Sequence, residues 1–154
     1  MKLLIISDIH IPVRSSFKVF DKINFEKYDY IISCGDMEEE DTLSFLEVQK
    51  PIFLGVYGNC DSYYIKNNLR EKIRIKLENH NIGIIHGHQS FMRGDYKGLI
   101  KNFDDINILF YGHSHMQQIA DYKGIKTVNP GAFFKGEYAE VYTDKDKITV
   151  NLVK

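Results

Sequence analysis

Residues 111–115, Tyr-Gly-His-Ser-His, set two imidazoles two positions apart, directly after a glycine and between an apolar run and a polar stretch. The chain holds 6 histidines, and two in one polar loop point to metal ligation rather than core packing. His113 and His115 need further ligands to hold an ion. Donors of the right type recur along the chain: Asp8 and His10 in Ser-Asp-Ile-His, Asp36 in Cys-Gly-Asp, Asn59 beside Cys60 and Asp61 in Gly-Asn-Cys-Asp, and His86 with His88 in His-Gly-His. Any one of these alone is ordinarily a turn former, a helix cap or a structural histidine. Neutral imidazole, carboxylate and amide oxygen together suit Mn²⁺, Fe, Zn²⁺ or Ni²⁺. The set is too large for one tetrahedral ion and suits two ions ~3.5–4 Å apart that share a carboxylate. Such a pair acidifies a bridging water to hydroxide near neutral pH and clamps a phosphoryl group. Hydrolysis of a phosphate ester is the expected reaction.

The elements that must carry these donors follow from hydrophobic pattern. The continuous apolar run 3–7 predicts a strand covered on both faces. Residues 15–24 read as a helix capped by Ser15 or Ser16, with Phe17, Phe20 and Ile23 on one face. A second buried strand over 30–36, a helix over 38–50 stopped by Pro51, and a strand over 52–59 complete a βαβαβ opening. That order implies parallel pairing with right-handed crossovers. Residues 72–78 alternate charged and apolar side chains, which predicts a strand with one wet face, paired as a hairpin with 81–87. A helix over 91–103 and a buried strand over 107–113 follow, then strands over 117–122, 125–128, 138–143 and 147–153. The expectation is α/β: two mixed sheets packed face to face with helices outside. In such sheets ligands gather beyond the carboxyl ends of strands, which is where every donor named above falls.

A chain of 154 residues that is 44% hydrophobic suits one folded domain, 1–154, with a real core. Its net charge of −1 argues against a general nucleic-acid or membrane-surface binder. No apolar run approaches the ~18 residues of a spanning helix. The start, Met-Lys-Leu-Leu-Ile-Ile-Ser-Asp, turns polar too quickly for a signal peptide. The two cysteines, Cys34 and Cys60, lack zinc-knuckle or Cys-x-x-Cys spacing. A cytoplasmic protein with reduced thiols is expected.

The ordered set Ser-Asp-Ile-His, Cys-Gly-Asp, Gly-Asn-Cys-Asp, His-Gly-His and Gly-His-Ser-His, spread over 7–115, resembles the calcineurin-like metallophosphoesterases. The small size, the stretch Asp-Ile-His-Ile-Pro-Val-Arg (8–14) and Asn-Pro-Gly (129–131) resemble the small bacterial and archaeal phosphodiesterase subfamily, to which the retromer scaffold subunit is related. The resemblance covers nearly the whole chain. It implies a four-layer α/β/β/α sandwich, the metallo-dependent phosphatase fold. It also implies that Asp8, His10 and His115 hold one metal, that Asn59, His86 and His113 hold the other, and that Asp36 bridges them. Manganese is the first expectation for both ions, with Ni, Fe or Zn as alternatives. Many members of the wider family carry His where this chain has Cys60, a residue held to assist the leaving group. Its absence implies weak action on monoesters and leaves diesters open.

Around this set, several residues have two readings. Arg14 is placed to touch a phosphate or to be a solvated surface arginine. His88 is placed to contact substrate or to orient its neighbours. Asp61 either braces the loop carrying Asn59 or caps the next helix. His80 is expected in a hairpin turn, and Asn129 as a turn former near the site. A small phosphodiester is the expected substrate, since no extra domain is present to grip a polymer. A non-catalytic scaffold of the retromer-subunit type is the alternative. Exposed aromatics are candidates for a homo-oligomer interface.

Overall fold

Ten strands in two sheets set the frame, seen in a computed structural model that describes residues 1–154. In chain order the elements are β1 (Lys2–Ile6), β2 (Tyr30–Ser33), α1 (Glu40–Glu47), β3 (Ile52–Gly55), α2 (Tyr63–Asn68), β4 (Lys72–Leu77), β5 (His80–Ile85), α3 (Tyr96–Ile100), β6 (Ile108–Phe110), β7 (Gln117–Tyr122), β8 (Ile125–Pro130), β9 (Tyr138–Asp144) and β10 (Lys147–Val153). One sheet runs β10-β9-β1-β2-β3 and the other β4-β5-β6-β8-β7. In the first, β1, β2 and β3 are parallel, and β9 joins β1 antiparallel. In the second, β5, β6 and β8 are parallel, flanked by antiparallel β4 and β7. Both sheets are therefore mixed.

Side-chain alternation along each strand builds the layers. Leu3 and Ile5 of β1 face a core shared with Ile82 and Ile84 of β5 and Phe110 of β6, which fixes the two sheets against each other. Leu4 and Ile6 turn the other way, onto Leu43 and Leu46 of α1 and Ile65 of α2. Ile85 and Leu109 likewise face Leu99 of α3. The result is the expected four-layer α/β/β/α sandwich.

The helices differ most from expectation. Residues 15–24 hold only a single 3-10 turn, Phe17–Phe20, and Ser16 makes no side-chain cap. The Ser15 hydroxyl is engaged elsewhere, donating to Ile9 O at 2.6 Å. The Phe17 and Phe20 rings instead pack against Phe45 of α1. The helix expected over 91–103 shrinks to α3, because Asp95 caps it through Gly98 N at 3.0 Å and Gly94 just before has φ +77°. The short α2, capped by Ser62, follows Asp61 directly but falls outside the strand and helix ranges expected above. His80 sits in β5 opposite Leu77, buried, while Glu78 at φ +53° makes the turn.

The expected strands end early where the chemistry begins. Strand pairing stops at Ile6, Ser33, Ile85 and Phe110, and the donors occupy the turns that follow. Asp8, His10, Asp36, His113 and His115 all have φ between 53° and 68°. Left-handed backbone is uncommon outside glycine, and its recurrence at donor residues marks a site where backbone conformation is spent on aiming side chains.

Candidate metal centre

The turns after β1, β2, β5 and β6 meet at one edge of the sandwich. Asp8, His10 and His115 bring one ligand atom each within 4.8 Å of one another, and Asp36, His86 and His113 do the same. Asp36 also groups with His10 and Cys60 at that spacing. Its Oδ2 stands 3.2 Å from His86 Nε2 and 3.7 Å from His10 Nε2, so one carboxylate oxygen faces both halves of the site. Asp8 Oδ1 lies 3.2 Å from His115 Nε2 and 3.9 Å from His10 Nε2.

The far side of each ligand is held. His10 Nδ1 donates to Glu38 Oε1 at 2.6 Å, and His86 Nδ1 donates to the Cys34 carbonyl at 2.7 Å. These bonds fix the rings and leave each Nε2 facing inward. Asp8 Oδ2 accepts from His113 N at 3.0 Å, tying the last turn to the first. Asp36 Oδ1 accepts from Cys60 N at 2.8 Å. Asp61 accepts from the backbone N–H groups of Asp36, Met37, Glu38 and Gly58, so it braces the loops on both sides of Asn59, and the capping of α2 is left to Ser62. Asn129 donates to Gly112 O at 2.9 Å and Ser114 Oγ at 3.0 Å, holding the Gly-His-Ser-His turn. Gly58 has no alternative at its place, since any Cβ there would collide with Asp36 Oδ1.

Three donor atoms on the inner side, Asp8 Oδ1, His10 Nε2 and His86 Nε2, are buried without a hydrogen-bond partner. Buried polar atoms are rarely left unpaired. Here they converge with oriented imidazoles and carboxylates, and divalent metal fits that donor chemistry. The electrostatics agree. Burial works against the charged form of Asp36, yet His86, the Cys60 N–H and His10 together more than offset it and hold the carboxyl well below its usual range. Burial likewise opposes a charge on His86, but Asp36 and Asp8 raise its pKa above the ordinary value. Burial, and then His86, lowers the pKa of both His88 and His113.

A cavity of about 130 Å³ opens over these atoms, walled by His10, Asp36, His113 and His115 with Asn59, Cys60, Arg14 and Arg93. Arg14 and Asn59 thus line the same cavity as the candidate donors, and Arg14 lies 5.4 Å over the Phe134 ring, which itself contacts the rings of His10 and His115. His88 does not line the cavity; its ring stands 5.5 Å from that of His86. Arg93, Glu38 and the Cys34 carbonyl escaped the sequence reading. A larger hollow of about 400 Å³ near Lys72 and Arg74 lies apart from the donors, and both cations are engaged by the 102–105 segment.

The calcineurin-like phosphoesterase superfamily domain matches residues 1–149. The chain belongs to that superfamily. A probable metallophosphoesterase of Methanocaldococcus jannaschii is 33% identical over 133 residues, which cover 83% of this chain and 66% of that protein. The chain therefore spans about two thirds of that relative's length. A phosphodiesterase of the same organism is 24% identical over 85% of this chain and 83% of its own. In fold, a point mutant of Vps29 from Entamoeba histolytica superposes with a TM-score of 0.81 at 23% identity, covering 99% of this chain and 91% of the other. No helix of this superfamily member is long and apolar enough to cross a membrane.

Proposed function

We propose that this chain is a metal-dependent phosphodiesterase acting on small substrates, with a dinuclear centre held by Asp8, His10, Asp36, Asn59, His86, His113 and His115. The observation that carries the reading is the position of Asp36, whose Oδ2 faces His10 on one side and His86 on the other. Mn²⁺ is the proposed resident ion, given imidazole, carboxylate and amide donors without an obligatory thiolate. Two such ions supply Lewis acidity and a water acidified to near neutral pKa.

The protein's own residues do the rest. Asp8 and Glu38 hold the turns and rings so that the donors stay preorganised. Asn59 and Asp36 form part of the cavity wall that a reacting phosphoryl group would face. Arg14 offers a guanidinium to a non-bridging phosphate oxygen, the planar recognition for which arginine is suited. His88, whose pKa is lowered by burial and then by His86, stands beside His86 outside the cavity and takes the role of orienting its neighbours. Cys60 stands where an imidazole would assist the leaving group. The site therefore favours esters whose leaving group departs without a proton.

The likeness to Vps29 favours a second reading, a protein-docking scaffold. The full donor set and the open cavity weigh against it. An activity screen of metal-stripped protein decides. With Mn²⁺, Ni²⁺, Fe²⁺ or Zn²⁺ added back separately, an aryl phosphodiester should turn over and a simple alkyl monoester should not. Absence of turnover with every ion at two ions per chain would overturn the enzyme reading in favour of the scaffold.

A further inference from the structure

Beside the metal cavity lies a second one of about 350 Å³, walled by Arg93, Gly94, Ser114, Met116, Gln117 and Gln118. Arg93 lines both cavities. It is exposed and forms no ion pair, whereas Arg74 is paired with Asp105. Its loop is anchored at the base, where Ser90 Oγ donates to Asp95 Oδ2 at 2.8 Å and Asp95 caps α3.

The walls of the second cavity present donors. The Tyr111 hydroxyl donates to Gln118 Oε1 at 2.5 Å, which leaves the Gln118 amide NH₂ free. Ser114 Oγ accepts from Asn129 Nδ2 at 3.0 Å, which leaves its own proton to donate. Gln117 is already committed, its Nε2 bonding Val153 O at 2.8 Å, with Pro130 O and Tyr138 O also in reach, so it forms a fixed part of the wall. Met116, 63% exposed, offers a thioether at the side, a good surface for a flat ring.

We propose that this second cavity is the subsite for the non-leaving arm of the substrate, that Arg93 grips the phosphate at the junction, and that the arm is a nucleoside. The inference rests on the phosphodiesterase reading above and narrows its substrate class. The metal cavity, about 130 Å³, is the smaller of the two, and the larger adjoins it at Arg93, which gives an ester arm a place beside the phosphoryl group. The adjoining volume falls within the ~300–1,000 Å³ of small-molecule sites. Its free donors, the Ser114 hydroxyl and the Gln118 amide, match the carbonyl and ring-nitrogen acceptors of a base, and Met116 suits its face.

The test holds the leaving group constant. Metal-loaded protein is given p-nitrophenyl thymidine 5′-phosphate and methyl p-nitrophenyl phosphate; with water, each releases nitrophenol and retains the other arm on the phosphate. The thymidine ester should show a kcat/KM at least ~10-fold higher, about one net hydrogen bond's worth. Gln118→Glu keeps the acceptor for Tyr111 and removes the free donor; it should collapse that ratio toward one. Arg93→Ala should raise KM for both esters, with partial recovery in Arg93→Lys. Calorimetry adds a readout free of turnover: thymidine 5′-phosphate should bind the metal-loaded protein more tightly than methyl phosphate, and Gln118→Glu should erase the difference. Turnover of both esters with no preference overturns the subsite alone. A preference unchanged in Gln118→Glu overturns the nucleoside assignment of that wall, and a KM for both esters unchanged in Arg93→Ala overturns the phosphate grip. No turnover of either ester overturns the phosphodiesterase reading and the subsite with it.

Discussion

Glu38 Oε1 accepts a hydrogen bond from His10 Nδ1 at 2.6 Å, in a position where Glu38 is itself buried and its own backbone N–H is held by Asp61. A carboxylate behind a ligating histidine fixes the tautomer and raises the donor strength of Nε2. Glu38→Gln should therefore weaken metal binding by roughly 10–100-fold, the usual cost of losing such a partner. Competition against a chelating dye measures it. An unchanged affinity in a folded variant would remove Glu38 from the metal's support.

Asp36 faces both halves of the centre, so Asp36→Asn should disturb both ions. The expected result is loss of at least one ion per chain and a fall in turnover of at least ~100-fold, or ~2.7 kcal/mol of barrier. Elemental analysis and kinetics on one preparation read both. Two ions retained with near-normal turnover would show that the bridge lies elsewhere.

Metal uptake should release protons at His86. In the metal-free protein Asp36 and Asp8 overcome burial and raise its pKa. A raised histidine pKa adds stability that is full below the unfolded value and is lost as pH rises through the folded one. An incoming ion must displace that proton, so apparent metal affinity should climb as pH rises toward and past the folded pKa. His88 and His113, with lowered pKa values, have little to release at neutral pH. Calorimetry at pH 7 in two buffers of different ionisation enthalpy counts the protons. A heat independent of buffer would contradict the raised pKa of His86.

Metal removal should also lower the melting temperature. Binding to the native state alone contributes about 2.7 kcal/mol at a hundredfold excess over Kd, which for a domain of this size shifts Tm by about 5–10 °C. A melting curve unmoved by Mn²⁺, Ni²⁺ and Zn²⁺ would count against any native metal site.

The candidate donors that the fold gathers at one edge were legible because they stand at strand ends, where an apolar run stops on a polar residue. The two mixed sheets were legible for a related reason. Buried and half-buried strands leave different patterns, as the unbroken run 3–7 and the alternation of 72–78 show. What supports the ligands was not legible. Glu38 meets His10 across 28 positions, and His86 bonds a backbone carbonyl 52 positions away. Neither contact leaves a local pattern. Arg93 was hidden for a different reason: the expected helix over 91–103 made it a surface residue of a regular face, whereas the residues before α3 form a loop that reaches the cavity. The helix expected over 15–24 failed because its aromatic residues found partners on α1 better than they formed a face of their own.

Cys60 sits among the candidate metal donors as a thiol. It lines the metal cavity, its N–H holds Asp36, and Asn59 Nδ2 lies 3.3 Å from its Sγ. Partial desolvation at the cavity wall, and then the charge of Asp36, push its thiol up to about 11. A thiol so placed keeps its proton and gives it up slowly, so it is a weak general acid. Activated aryl diesters need no acid for their nitrophenolate, whereas an alkoxide leaving group does. Cys60→Ala should accordingly change turnover of an activated diester by less than about tenfold, under ~1.4 kcal/mol. Cys60→His should raise activity on an alkyl ester, because Cys60 is exposed rather than walled into the core and a larger ring has space at the cavity rim. Kinetics of both variants on one activated and one unactivated ester test the pair of expectations. Near-complete loss of activated-diester turnover in Cys60→Ala, with metal content intact, would show instead that the thiol takes part in the chemistry.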